Sequence, residues 1–328
     1  MGILEKITKI SLILAIQIVL CFPGVSWSVP VLWGVDENDG ELFSIDDYTT
    51  LSGYTSYGKL KYRSGATVKK IGKDIEAFTI DANGVAYMAI NNGLAGYSEP
   101  VLFSFDLNQA STTSDNIVNI IGKIGVNFDN PKDNISGLSI NPLTGDLYAL
   151  FRDNRDDTVD RLLILDKSTG DVKSDLGTIE GLGYSVDSGE DLEFDSFGNL
   201  YVTDNKDNHL YKVDPLTGDI IDVIDNDESG GLGGGDVKFE GLAWDPVFNR
   251  LIATEDNNDL FVNLTLRNGQ NFSYGSLAQL TDVEGIDFMP RAGSPPQPVP
   301  EPASIFLIGT GLLGIFGFKN KLFQNKKY

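Results

Sequence analysis

Cysteine and histidine are almost absent from this sequence of 328 residues, which contains one of each. Cys21 falls in an N-terminal segment that we expect to be removed on export, so the mature protein should have neither a disulfide nor a thiol nucleophile. His209 stands in a predicted loop, where a lone histidine is more often a hydrogen-bonded loop residue than a general base. A zinc centre built from Cys and His and a Ser-His-Asp hydrolase are therefore both disfavoured.

Positive charge is also scarce, since 25 Lys and Arg stand against 47 Asp and Glu, for a net charge of −22. Several of the basic residues lie at the two ends of the chain, so the middle is more acidic still. Such a field repels nucleic acid and attracts cations, and we predict no nucleic-acid partner. Solubility is the simpler explanation of this charge, and Ca²⁺ binding is the more specific one.

Long hydrophobic runs occur only near the two ends of the sequence. At the N-terminus, Lys6 and Lys9 precede an apolar stretch over residues 10–22, and small residues follow just before Val29. The stretch is too short to span a membrane. We therefore interpret residues 1–28 as a secretory signal peptide, and we expect the chain to be exported.

The C-terminal segment, residues 300–328, has three parts in a fixed order. The tripeptide Pro300-Glu301-Pro302 comes first, an apolar run over residues 303–318 follows, and a lysine-rich tail ends the chain. We predict a transmembrane helix over residues 303–318, with its basic end in the cytoplasm by the positive-inside rule. Because this run is slightly shorter than the roughly 20 residues that a spanning helix needs, it suits a transient anchor.

This layout resembles the PEP-CTERM sorting signal of Gram-negative bacteria. The resemblance implies that an exosortase recognises Pro300, Glu301 and Pro302, and that the protein is secreted or reaches the cell surface. PEP-CTERM proteins as a group are associated with extracellular polysaccharide and biofilm matrix, so the resemblance also implies a partner of that kind. A stiff Pro-rich linker, residues 291–299, would join the signal to an ectodomain over residues 29–290.

The ectodomain contains a six-residue pattern that is repeated along the chain. Its positions are an acid, a small or acidic residue, a large apolar residue, any residue, a second large apolar residue, and Asp or Asn. Its first apolar residue recurs at intervals of 60, 54, 50 and 44 residues. Turn residues and a second β-rich segment follow each of the first four copies. Repeats of about this length are typical of four-stranded propeller blades. The repeated apolar residues are Phe78, Leu138, Leu192, Leu242 and Ile286.

The fifth copy is incomplete, because only one strand, over residues 284–288, precedes the linker. Three strand-like segments near the N-terminus, at 31–35, 41–45 and roughly 57–62, would complete that blade. A blade shared by the two ends of the domain closes the ring and leaves no free sheet edge. We therefore predict an all-β fold, a five-bladed β-propeller, with a sixth blade inside residues 51–73 as the alternative.

One copy of the repeat is similar to known propeller families. Residues 195–218, with Phe197-Gly198-Asn199-Leu200-Tyr201-Val202-Thr203-Asp204-Asn205 in them, resemble an NHL-type repeat. The wider pattern is similar to the lactonase and senescence-marker propellers, which use an acidic metal site in the channel. Residues 240–242 and 284–286 resemble the Glu-Gly-apolar strand openings of those proteins. This resemblance supports the fold more than any chemistry.

Glutamate opens the first strand in four of the five copies, and Ser136 opens it in the other. First strands line the channel of a propeller, so these carboxylates would converge on one channel mouth and repel each other unless a cation, protons or water intervened. A hard cation such as Ca²⁺ takes about six to eight oxygen ligands and would suit them. The alternative is that each glutamate caps its strand and faces water. The candidate ligands are Glu76, Glu190, Glu240 and Glu284.

Two classes of function fit these features. The first is a non-enzymatic binding protein at the cell surface or in the extracellular medium, associated with polysaccharide. The second is a metal-dependent hydrolase of lactones or phosphoesters that uses the carboxylates of the channel mouth. We favour the first class, because the second needs an open coordination position that the sequence alone does not reveal.

Overall fold

The computed structural model describes residues 30–289 of the chain. The gaps in this range are residues 39, 73, 92–93, 95–96, 98, 127–132, 154–157, 207–208, 226–237, 256–259, 265, 267–271 and 281. The predicted signal peptide, the linker and the sorting signal with its predicted helix at 303–318 all lie outside the described residues. Among the residues described, no helix is long and apolar enough to cross a membrane.

The described part of the chain is almost entirely β-structure, with one short 3₁₀ helix at Leu107–Gln109. In chain order the strands are β1 (Val31–Asp36), β2 (Glu41–Ile45), β3 (Thr55–Lys59), β4 (Lys61–Ser64), β5 (Thr67–Lys70), β6 (Ile75–Ile80), β7 (Val85–Ile90), β8 (Val101–Asp106), β9 (Asn119–Lys123), β10 (Asn134–Ile140), β11 (Leu147–Arg152), β12 (Arg161–Leu165), β13 (Val172–Thr178), β14 (Glu180–Gly181), β15 (Tyr184–Ser185), β16 (Gly189–Phe194), β17 (Leu200–Asp204), β18 (His209–Val213), β19 (Ile220–Asp225), β20 (Phe239–Asp245), β21 (Arg250–Glu255), β22 (Leu260–Leu264), β23 (Phe272–Ser276) and β24 (Val283–Met289).

Five antiparallel sheets of four strands form the blades of a propeller. We number them blade 1 (β6–β9), blade 2 (β10–β13), blade 3 (β16–β19), blade 4 (β20–β23) and blade 5 (β24, β1, β2 and β3, in that order). The first strand of each sheet is the inner strand. Each inner strand contacts the inner strands of the two neighbouring blades, and β24 contacts both β20 and β6, so the ring closes. The prediction of a five-bladed, all-β propeller is confirmed.

Blade 5 joins the two ends of the domain. β1 pairs with β24 in antiparallel register, with Leu32 opposite Phe288 and Gly34 opposite Ile286. Its fourth strand, β3, ends at Lys59, a little earlier than predicted from the sequence. The stretch that could have held a sixth blade instead contains the β4–β5 hairpin, in which Lys61 is opposite Lys70. Among the described residues, two further strands form only one more hairpin, β14–β15, so no sixth blade is present.

The turns that follow the inner strands have the chemistry that their sequences indicate. Asp195 accepts hydrogen bonds from the backbone N–H groups of Phe197 (2.9 Å) and Asn199 (2.8 Å), and Gly198 takes the left-handed conformation with φ of 81°. Such Asx turns return the chain directly into the second strand of the blade. Each inner strand therefore runs the full height of the channel and ends at the same face.

Hydrophobic side chains fill the space between adjacent blades. Inner and second strands are buried on both faces, as in β17, where all five residues are buried. Outer strands such as β13 alternate between half-buried and exposed positions. This gradient follows from the geometry, because the inner strands are covered by the neighbouring blades and the outer strands face solvent.

Candidate functional site

Each inner strand contains a β-bulge at the first polar position of the repeat. In blade 1 the pairs Ile75–Ile90 and Ala77–Ala89 are consecutive, so Glu76 is the extra residue between them. The same shift in register occurs in the other four inner strands. A bulge bends its strand and redirects the side chain of the extra residue. We call the five residues at this position the entrance ring: Glu76, Ser136, Glu190, Glu240 and Glu284.

The residue after each bulged residue is small in four of the five blades, because neighbouring inner strands approach closely there. A Cβ on Gly285 would lie 2.4 Å from the Cβ of Phe78, and a Cβ on Gly241 would lie 2.7 Å from the carbonyl oxygen of Glu284. Both distances are shorter than any van der Waals contact. The Glu-Gly dipeptide of the repeat therefore combines a side chain at the channel mouth with a close approach of the backbone.

Glu284 lies in a cluster with two carboxylates that our sequence analysis did not select. One carboxylate oxygen from each of Glu37, Asp282 and Glu284 lies within 4.8 Å of the other two, and all three side chains are half-buried. Glu37 follows β1, and its backbone N–H donates to the carbonyl oxygen of Asp282 (2.8 Å). We call these three residues the acidic cluster.

Electrostatic repulsion within the acidic cluster is strong. Burial and the charges of Glu37, Glu76, Glu240 and Asp282 raise the pKa of Glu284 to about 11. Burial and the neighbouring Asp282 raise the pKa of Glu37 to about 7. Glu76 and Glu240 lie on β6 and β20, the two inner strands that flank β24, so they share this mouth of the channel with Glu284.

Glu76 accepts a hydrogen bond from the side-chain amide of Asn134, which lies on the same strand as Ser136. Burial, with smaller effects from the charges of Glu37 and Glu190, raises the pKa of Glu76 to about 8. Asn134 Oδ1 and Ser136 Oγ are buried and have no hydrogen-bond partner among the described residues. Both are neutral oxygens of the kind that coordinate hard cations.

Glu190 forms an ion pair with Arg152 and does not belong to the acidic cluster. Arg152 Nη1 lies 2.6 Å from Glu190 Oε2, and Arg152 Nη2 donates to Ser188 Oγ at 2.6 Å. Burial raises the pKa of Glu190 to about 7, against the opposing effect of the Arg152 charge. The entrance therefore has an arginine on the blade 2 and blade 3 side and three clustered carboxylates on the blade 5 side.

Sequence reasoning placed the four glutamates correctly on the inner strands but missed Glu37, Asp282 and Arg152. The sequence contained no clear signal for Asp282, because this residue precedes β24 and the bulge at Glu284 interrupts the alternation of side chains. Glu37 could be found only from the pairing of β1 with β24, which brings distant parts of the chain together. Arg152 ends β11, where pairing places it opposite Asn134.

A second set of acids lies deeper in the channel and joins the blades. Asp191 Oδ2 accepts from the backbone N–H of Leu242 (2.6 Å), and Asp287 Oδ2 accepts from that of Ile80 (2.6 Å). Inner strands of neighbouring blades do not pair as a sheet, so their backbone N–H groups need side-chain acceptors. Burial raises the pKa of Asp191 and of Asp287, the latter to about 7.

The fold and the entrance define a five-bladed β-propeller with an acidic channel mouth, and the C-terminal sequence adds a sorting signal. Residues 298–321 match the PEP-CTERM protein-sorting motif. The chain therefore carries a sorting signal for processing by an exosortase, and it is an exported protein with a C-terminal membrane-anchor signal. The matched range includes Pro300, Glu301 and Pro302, so the predicted signal is confirmed.

The propeller has distant similarity to solved structures. A chain of a nidogen/laminin complex has a TM-score of 0.45 at 13% identity, over 79% of this chain and 98% of that one. A regucalcin from Agrobacterium tumefaciens, described as a calcium-binding protein, has a TM-score of 0.40 at 13% identity, over 75% and 74%. A glutaminyl cyclase from Myxococcus xanthus has a TM-score of 0.41 at 15% identity, over 68% and 89%. No curated protein matches the sequence.

Proposed function

We propose that this protein is a cation-dependent binding protein of the extracellular space, which holds Ca²⁺ at the entrance of its propeller channel. The observation that carries this proposal is the acidic cluster, in which oxygens of Glu37, Asp282 and Glu284 lie within 4.8 Å of one another. Three carboxylates at such distances repel each other unless protons or a cation neutralise them. A cation between them would turn this repulsion into a set of ligand bonds.

The donor atoms at the entrance favour calcium over softer metals. The cluster offers carboxylate oxygens, and Asn134 Oδ1 and Ser136 Oγ, on the inner strand of blade 2, add neutral oxygens to the entrance. Sets of oxygen donors suit Ca²⁺, Mg²⁺ or Mn²⁺, whereas zinc and copper prefer imidazole and thiolate. Irregular sets with room for water suit Ca²⁺ better than Mg²⁺, which demands nearly octahedral geometry.

An extracellular polysaccharide is the proposed partner. The sorting signal supports this choice, because it directs the protein to the compartment in which such polymers occur. A Ca²⁺ ion held by three protein carboxylates keeps coordination positions free, and sugar hydroxyl or carboxylate oxygens could fill them. Binding would then depend on the cation, because the acidic protein surface alone would repel an anionic polymer.

Thermal unfolding of the full-length protein in a mild detergent tests the cation site. Ca²⁺ added after EDTA treatment should raise the melting temperature by about 5 °C once its concentration greatly exceeds the dissociation constant. Glu284→Gln and Asp282→Asn should each abolish the rise. Glu180→Gln, which changes an exposed carboxylate on the β14–β15 hairpin, should retain it. A melting temperature that ignores millimolar Ca²⁺ in the unaltered protein would refute the site.

A pull-down with immobilised acidic polysaccharide tests the partner separately. Retention should require Ca²⁺ and should be lost on addition of EDTA and in the Glu284→Gln variant. If Ca²⁺ raises the melting temperature but no polysaccharide is retained, the cation site stands and the proposed partner is wrong.

A metal-dependent hydrolase of lactones or phosphoesters is the second candidate, and one observation favours it. Glu76 lies on the inner strand next to that of Glu284, and burial raises its pKa to about 8, so it could act as a general acid or base beside a metal-bound water. Turnover of a panel of lactones and phosphoesters in the presence of Ca²⁺ would test it. Activity that Glu76→Gln removes while Ca²⁺ stabilisation persists would favour the enzyme.

A further inference from the structure

At the face opposite the entrance ring, the channel ends in a cavity, which we call the exit cavity. This exit cavity has a volume of about 120 Å³ and lies where the inner strands finish. The fifth position of the repeat, four residues after the bulge, supplies one large apolar side chain from every blade. These collar residues are Ile80, Ile140, Phe194, Trp244 and Phe288.

The floor of the exit cavity is polar, in contrast to its collar. It consists of Glu193 and Asp287 with the hydroxyl groups of Thr79 and Ser139. Glu193 and Asp287 are 6% and 7% exposed. Among the residues that the structure describes, no lysine, arginine or histidine lines the cavity. A third buried acid, Asp195, also lines it and accepts the hydrogen bonds of the turn after β16.

The hydrogen bonds of Glu193 and Asp287 are those of carboxylate anions. Glu193 accepts from Ser139 Oγ (2.7 Å) and from the backbone N–H of Trp244 (3.2 Å). Asp287 accepts from Thr79 Oγ1 (3.1 Å) and from the backbone N–H groups of Ile80 and Phe288 (both 2.6 Å). Burial and the charge of Asp287 nevertheless raise the pKa of Glu193 well above its ordinary value, so Glu193 retains a proton when no cation is bound. A cation that binds beside the two acids would replace this proton and pair with both carboxylates.

We propose that the exit cavity binds the ammonium group of a small alkylamine, with Glu193 and Asp287 as its anionic partners and the aromatic collar around its carbon chain. An ammonium group donates three hydrogen bonds and so can serve both carboxylates at once. Phe194, Trp244 and Phe288 provide the aromatic faces on which alkylammonium ions bind by cation–π attraction. The proposal concerns a site distinct from the acidic cluster and does not depend on it.

The volume of the exit cavity limits the size of the ligand. A cavity of about 150 Å³ accommodates benzene, so one of about 120 Å³ accommodates roughly five non-hydrogen atoms. n-Butylammonium is of this size, and it is also the end of a lysine side chain. A free amine and a lysine of a partner protein would therefore present the same chemistry to the cavity.

Calorimetric titration of the full-length protein with n-butylammonium chloride tests the proposal. The titration is done near pH 9, above the pKa of about 7 for Asp287 and below that of about 10 for an alkylamine. n-Butanol, a neutral molecule of nearly the same shape, should bind at least ~10-fold more weakly. Nα-acetyl-lysine amide distinguishes the sources: binding as tight as n-butylammonium indicates a partner's lysine, and much weaker binding indicates a free amine.

Substitutions of the lining residues test whether n-butylammonium binds in the exit cavity. Glu193→Gln and Asp287→Asn should each lower affinity for n-butylammonium by about 10-fold or more. Trp244→Leu should lower it by roughly 3- to 30-fold. Glu284→Gln, at the other end of the channel, should bind normally, which separates this result from any failure at the calcium site. Near-ultraviolet circular dichroism checks that each variant is folded.

Two results would overturn the proposal. One is equal binding of n-butylammonium and n-butanol by the unaltered protein. The other is displacement of n-butylammonium by Ca²⁺ that persists in Glu284→Gln, since this would show that the exit cavity selects a metal ion instead.

Discussion

Arg250 covers the ring of Tyr48, with its guanidinium carbon 5.3 Å from the ring centroid, and Arg250 Nε donates a hydrogen bond to the Tyr48 hydroxyl at 3.0 Å. The Tyr48 hydroxyl in turn donates to Asp245. Tyr48 follows β2 in blade 5, whereas Asp245 and Arg250 border the first turn of blade 4. This chain of contacts holds the loop of blade 5 against blade 4, beside the position where the ring closes.

Replacing Arg250 with glutamine should lower the free energy of unfolding by about 2–3 kcal/mol. The variant loses the stacking on Tyr48 and leaves the buried Asp245 without its cation. Urea unfolding would measure the change. Arg63→Gln, at an exposed position of β4, is the matched control and should change stability by less than about 0.5 kcal/mol. Equal effects of the two substitutions would mean that the Tyr48 contact contributes nothing.

The close approach of inner strands makes a second prediction about stability. Gly285→Ala would place a methyl group 2.4 Å from the Cβ of Phe78, so β24 and β6 would have to separate. We expect a loss of about 1–3 kcal/mol, measured by urea unfolding. Gly72→Ala is the control, because nothing lies within 4 Å of its Cβ position, and it should be nearly neutral. If Gly285→Ala leaves the free energy of unfolding unchanged, β24 and β6 are not in close contact at this position.

Much of the fold could be predicted from short sequence patterns and from their spacing along the chain. The repeat places Phe78, Leu138, Leu192, Leu242 and Ile286 on equivalent strands, and the incomplete fifth copy can be completed only by the N-terminal strands. Strand propensity and turn chemistry identify each strand from about ten residues, and the spacing of the copies along the chain then gives the number of blades. The boundary of β3 was less accurate, because the chain leaves the sheet at Leu60, whose N–H donates to the carbonyl oxygen of Gly40. That contact is not local in sequence.

The candidate site was only half predictable for the same reason. Glu76, Glu190, Glu240 and Glu284 belong to the repeat and could be selected from it. Glu37 and Arg152 do not belong to the repeat. They reach the entrance through the pairing of β1 with β24 and of β11 with β10, where a bulge sets the register. Register shifts of one residue are not encoded by alternation alone, so the detailed grouping of charges required the structure.

Because of the buried carboxylates at the entrance, we expect the stability of the protein to fall as the pH rises. The pKa of Glu76 is raised by burial from 4.5 to about 8, so the folded state binds its proton more tightly than the unfolded state does. Stability should therefore fall as the pH rises from about 4.5 to about 8, by an amount on the order of 5 kcal/mol in the absence of Ca²⁺.

Urea unfolding in EDTA at several pH values would measure this dependence. Glu76→Gln has no proton to lose, so its profile should be flatter over the same range, while the exposed control Glu180→Gln should follow the unaltered protein. A profile that rises steadily from pH 5 to pH 8 would contradict the raised pKa of Glu76.

Removing the charge of Arg152 should raise the affinity of the proposed site for Ca²⁺. Arg152 is paired with Glu190 at the entrance, and its positive charge opposes the arrival of Ca²⁺. Arg152→Gln should therefore increase the affinity for Ca²⁺ by about 3- to 10-fold, measured by calorimetry, although it removes a largely buried ion pair and lowers stability by about 3 kcal/mol. Arg161→Gln removes an exposed pair with Asp175 on the outer strands and should change neither quantity appreciably. Weaker Ca²⁺ binding in Arg152→Gln would indicate instead that the arginine orders Glu190 as a ligand, and the acidic cluster would then no longer suffice as the site.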